Sequence, residues 1–188
     1  MSEEWTHDKA LDLLRRHMTN DILVKHCLAS EAIMRALAVR FGEDPERWGV
    51  AGLLHDLDFE ETKDTPSEHG NKTAAILSEQ GVPEDIIQAI REHNAEALGI
   101  PCASRMGMAL SCAETVTGLI VAMALVQPDK KLANVKPSSV RKRMKEKAFA
   151  RNVSRERILD CEKLGLALDD FLNLSVVAMQ GIAGDLGL

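Results

Sequence analysis

Six side chains able to bind a metal or carry a proton stand in apolar surroundings along this 188-residue sequence: His26, His55, Asp56, His69, His93 and Glu114. At about 100° per helical residue, His26 shares a stripe with Ile22, Ile33 and Leu37, while Lys25, Glu31 and Arg35 lie opposite. His93 falls with Ile86, Ile87 and Ile90, and His69 aligns with Thr73 and Ile76 near a helix start. These histidines are expected to point inward. Glu114 is the only charge between Met106 and Gln127, on a stripe with Gly107, Leu110, Val121 and Leu125, and is expected to be deeply buried. A buried carboxylate left unpaired costs several kcal/mol or takes a proton. It therefore needs a partner, either a cation such as Arg40 or Arg105 or a metal ion. His55 and Asp56 are adjacent and diverge on a helix, so a metal between them must draw further ligands from other helices. Helical bundles build metal sites from inward side chains in this way. Mixed imidazole and carboxylate donors suit one or two ions of Mn, Fe, Co, Ni or Zn, with Mg admissible, better than Ca, and no thiolate pairs point to structural zinc.

The elements that must position these groups are helices. Aromatics are 3% of the chain, tyrosine is absent, and Ala, Leu, Met and Glu are abundant, so an all-α fold is expected. The length suits a single domain over 1–188. Helix punctuation places helices near 7–17, 21–41, 45–57, 66–80, 83–94, 103–126, 137–149, 155–164 and 168–184. The helix at 66–80 is expected to start from Thr65 as N-cap, with Pro66 in its first turn. The metal-site core would span about 20–126, with the helices of 137–188 packed on it. Met106–Val126 is long and apolar enough to span a bilayer, but its Ser, Thr, Gly and central Glu suit the middle helix of a soluble bundle.

A formal net charge of −6 argues against a nonspecific nucleic-acid binder. A local basic run, with nine Lys or Arg between 129 and 151, reads as a solvated face or as a positive rim drawing in a phosphorylated substrate. Cys27, Cys102, Cys112 and Cys161 form no C-x-x-C pair and no secretory signal is seen, so a reduced, cytoplasmic protein with no membrane contact is expected. The thiols are assigned no chemistry, and the sequence specifies no oligomeric state.

His26, then His55-Asp56, then a distant acid on helices resembles the HD-domain superfamily of metal-dependent phosphohydrolases. Stretches such as AGLLHDLDFE, EHG, GVPEDIIQAIREHN and TGLIVAMALVQPDKKLANVK resemble a bacterial and archaeal subgroup of small HD proteins, over about residues 20–180. Glu114 stands where that family has Asp, and HDLDF replaces the common HD-I-G-K, so Asp58 and Phe59 fall where Gly and Lys would be. The resemblance implies hydrolysis of a phosphate ester, of a nucleotide or another small phosphorylated metabolite, by a metal-bound hydroxide. In two-metal members Asp56 would bridge, with His26, His55 and Glu114 on one ion and His69 and His93 on the other. A one-metal reading leaves His69 and His93 for phosphate contacts or proton transfer. Asp56 and Asp58 are the expected catalytic acids, with Asp58 in an open acidic loop as proton donor, and Lys63 or Lys72 supplies the missing phosphate contact. Two alternatives stand beside this reading: a lapsed ligand-binding or interaction module, and a di-iron oxygenase.

Overall fold

The computed structural model describes residues 4–188, and among them there is no β-strand. The helices are α1 (His7–His17), α2 (Asp21–Phe41), α3 (Pro45–Leu54), α4 (Phe59–Thr62), α5 (Asn71–Glu79) and α6 (Glu84–His93). They continue with α7 (Ala95–Leu98), α8 (Arg105–Leu125), α9 (Pro137–Arg143), α10 (Arg155–Leu159), α11 (Leu168–Gly181) and α12 (Ala183–Leu186). Single 3₁₀ turns occupy Leu132–Asn134 and Asp160–Leu164. The result is the expected all-α bundle, packed around one core.

α2 and α3 form the most extensive helix pair, and α8 packs against α2, α3 and α6. Gly52 explains the close approach of α2 to α3. A Cβ there would stand 2.8 Å from the Glu31 Cα and 2.9 Å from the Ser30 carbonyl oxygen, backbone atoms that cannot give way. That contact brings the end of α3, with His55 and Asp56, beside the His26 face of α2. α8 is apolar and long enough to cross a membrane by length and composition. In the fold it lies at the centre, burying Leu110, Val116, Leu119, Ile120 and Met123 among the other helices.

Three helices end differently from expectation, each for a local reason. α3 stops at Leu54 rather than residue 57 because the His55 Nδ1–H donates to the Gly52 carbonyl at 2.8 Å. That carbonyl is the acceptor a continuing helix would offer to the Asp56 N–H. The segment expected as a helix from residue 66 stays in turns until Asn71, because Gly70 adopts a left-handed φ of +86°. Thr65 does not cap α5. The Asp58 carboxylate does so from outside, accepting the Gly70 and Thr73 N–H groups at 2.9 Å each. The basic helix expected to run to 149 ends at Arg143. Beyond it, the Arg155 guanidinium gathers the carbonyls of Glu146, Phe149, Ala150 and Val153, which satisfies a non-helical loop.

Candidate metal centre

Four imidazoles meet around one carboxylate. The Nε2 atoms of His55, His69 and His93 lie 3.4, 3.2 and 3.7 Å from Asp56 Oδ1, and that of His26 lies 3.6 Å from Oδ2. His26 Nε2 is 3.2 Å from His55 Nε2, and His69 Nε2 is 3.0 Å from His93 Nε2. The donors come from the α2 face, the α3 exit, the turn before α5 and the end of α6.

Every Nδ1 is committed elsewhere, which decides the tautomers. His55 donates to the Gly52 carbonyl and His93 to the Ile90 carbonyl, groups that only accept. His69 donates to Asp58 Oδ1 at 2.7 Å. The Thr117 hydroxyl donates to the Glu114 carbonyl, so its oxygen accepts from His26 Nδ1–H at 2.9 Å. Each imidazole thus turns Nε2 toward Asp56, the arrangement by which metal-ligating histidines are oriented.

Two donor groups result, one of His26, His55 and Glu114 and one of Asp56, His69 and His93, each with all its ligand atoms within 4.8 Å of one another. Donors about 2.1 Å from one transition-metal ion stand roughly 3.0–3.4 Å apart, so the observed spacing fits a shared divalent cation. Each group mixes imidazole with carboxylate. The six residues singled out in the sequence are therefore brought together.

Burial and charge oppose each other here. Burial pushes Asp56 upward, but the surrounding imidazoles, His55 first, outweigh it and hold the carboxyl well below the usual carboxylate range. Burial lowers His55 to about 4, with Asp56 opposing, and burial together with His55 lowers His93 to about 3. His69 is the exception: burial would lower it, but hydrogen bonds to Asp56 and Asp58 raise it to about 9. A stability maximum for the metal-free protein near pH 6.5 follows. Below about 6.5 the unfolded chain binds protons that folded His55 and His93 refuse, and above it the folded chain retains a proton on His69 that the unfolded chain has released. Both arms lower stability. Metal uptake displaces the His69 proton, so thermal unfolding between pH 5 and pH 9 should show the alkaline decline in chelator and not in manganese; a flat chelated profile would contradict this.

Three expectations need correction. Asp58 is not a loop acid free to donate a proton; it is 2% exposed. Burial alone would raise its carboxyl, but His69 and the Thr73 and Gly70 N–H groups lower it, so it stays ionised and orients His69. Glu114 is only partly buried, with 18% of its side chain exposed, because it lines a cavity beside the histidines. Its cationic neighbour is Arg157, at 3.8 Å, whereas Arg105 pairs with Glu43. Three residues of the basic run stand away from this site. Lys145, Lys147 and Arg151 line a separate cavity that touches none of the histidines.

His69 and His93 open on a cavity of about 240 Å³ lined also by Phe59, Lys63, Glu114 and Arg157 among others. Lys63 is in place there. Lys72 is not among the lining residues and is held at 3.2 Å from Glu68. Arg157 and Thr117 escape a reading of the sequence. Arg157 sits on a short helix without a pattern, and Thr117 resembles any small polar residue in an apolar helix. Cys27, Cys112 and Cys161 are buried, with thiols pushed upward by burial, whereas Cys102 is half-buried.

Residues 23–133, more than half of the chain, match the HD domain family, while no solved structure matches. The match spans α2 to α8 and so contains every one of the converging histidines and acids. By that match the protein belongs to the HD domain family, and its two donor groups support a metal-binding, hydrolase-like site.

Proposed function

We propose that the protein is a metal-dependent phosphohydrolase that cleaves a phosphate ester of a nucleotide or another small phosphorylated metabolite. The observation that carries this reading is the convergence of four Nε2 atoms on Asp56 with every Nδ1 already bound. His26, His55 and Glu114 would hold one cation and Asp56, His69 and His93 a second. When bound, a divalent cation supplies an acidified water and polarises the phosphoryl oxygen.

The chain's own residues do the rest. Asp58 and Thr117 keep His69 and His26 in the ligating tautomer. Lys63, in the wall of the cavity, offers positive charge to an incoming phosphate, and is better placed than Lys72. Buried free thiols suit a reducing cytoplasm.

Chelator-stripped protein reconstituted with manganese, cobalt, nickel or magnesium should release inorganic phosphate from a panel of phosphate esters, and should release none without metal. Oxygen consumption by iron-loaded protein with no phosphate release would contradict the proposal in favour of a di-iron oxidase. Metal binding with neither reaction would point to a lapsed binding module.

A further inference from the structure

Arg157 is the cation that the sequence pattern does not reveal and the fold delivers to the site. It is the third residue of α10, where its backbone N–H is capped by Ser154 Oγ at 3.3 Å. Its guanidinium stands 3.8 Å from Glu114 Oε1 and 3.6 Å from Glu96 Oε2. Both partners are carboxylates, and neither contact is short enough for a hydrogen bond. The side chain is 34% exposed and lines the cavity shared by His69, His93, Glu114 and Lys63. It also lines an adjoining cavity of about 380 Å³ whose wall includes His93. A planar fork of donors is thus held loosely at the mouth of the proposed metal centre, in the form that matches two phosphate oxygens.

Glu114 links this fork to the metal ligands, because the carboxylate facing Arg157 belongs to the same donor group as His26 and His55. A divalent cation held directly by Glu114 is closer and more highly charged than the guanidinium, so it neutralises the carboxylate and weakens its hold on Arg157.

Resting on the metal-binding reading above, we propose that Arg157 binds phosphate at this site beside Lys63, and that its pairing with Glu114 makes anion binding follow metal loading. Without metal, Arg157 partners Glu114 and Glu96; once metal takes Glu114, only the exposed, solvent-screened Glu96 competes, and Arg157 turns to the phosphate. Lys72 is engaged by Glu68, and the basic residues of 145–151 face another cavity, so neither fills this role.

Calorimetric titration of the full chain with manganese, then with inorganic phosphate, tests the proposal without reference to turnover. Wild-type protein should bind phosphate only after manganese. Arg157→Gln should bind manganese severalfold more tightly, having lost a competing cation, and should bind phosphate about tenfold to a hundredfold more weakly. Arg157→Lys keeps the charge without the fork and should recover part of the phosphate affinity. Unchanged phosphate affinity in Arg157→Gln, or equal phosphate binding by metal-free and loaded wild type, would overturn the role given to Arg157. Loss of manganese and phosphate together in both variants would instead make Arg157 a structural support and overturn it as well. Failure of the wild type to take up manganese would refute the metal reading itself.

Discussion

Replacing Asp56 with Ala should strip the protein of bound metal and reduce turnover to background. Asp56 is 7% exposed, and its oxygens face all four Nε2 atoms, those of its own donor group and those of the other. Without it, four imidazoles crowd together with Glu114 as the one remaining carboxylate in the two donor groups to offset the charge of a cation. Loss of a hydrogen-bonding partner behind a ligand typically costs tenfold to about a hundredfold in metal affinity, so losing the central carboxylate should cost more. His69 should also lose much of the cause of its raised pKa, and the alkaline decline in stability of the metal-free protein should shrink. Metal content after dialysis, read beside activity on a proven ester, checks the prediction. Full retention of both would contradict it.

Asp58→Ala should be the most destabilising single change near the site, by about 3–5 kcal/mol in the metal-free protein. Its buried carboxylate accepts from His69 Nδ1, from the Gly70 and Thr73 N–H groups and from Thr62 Oγ1. Removal orphans backbone donors at the start of α5 and releases His69 to either tautomer. The cap and the ligand orientation fail together. Asp58→Asn, which keeps the size but lacks the charge, should fall between Ala and wild type. Thermal unfolding in chelator gives the answer, and a loss below about 1 kcal/mol would show that α5 does not depend on this cap.

Much of this site is legible in the sequence because burial forces a pattern. Inward histidines on amphipathic helices stand out against Ile and Leu neighbours, and α1 and α2 occupy the expected spans. What fails is whatever depends on contacts distant in sequence. Asp58 reads as one of a run of acids in a loop, yet it is the remote cap of a helix that begins at Asn71. The start of α5 is misplaced for the same reason, since Thr65-Pro66 is a good local signal that a longer-range carboxylate overrides. The apolar stripe of Glu114 suggests deep burial, but Leu125 on that stripe is 50% exposed, so apolar composition alone does not place a helix face inward. Arg157 carries no periodic signal at all, because α10 spans five residues and the guanidinium acts across to α8.

Whether the converging Nε2 atoms hold metal at Asp56 is tested most directly by anomalous diffraction from crystals of manganese-loaded protein. The expected result is two anomalous peaks flanking the Asp56 carboxylate, one among His26, His55 and Glu114 and the other beside His69 and His93. No peak within this cluster, in crystals whose protein takes up manganese elsewhere, would contradict it.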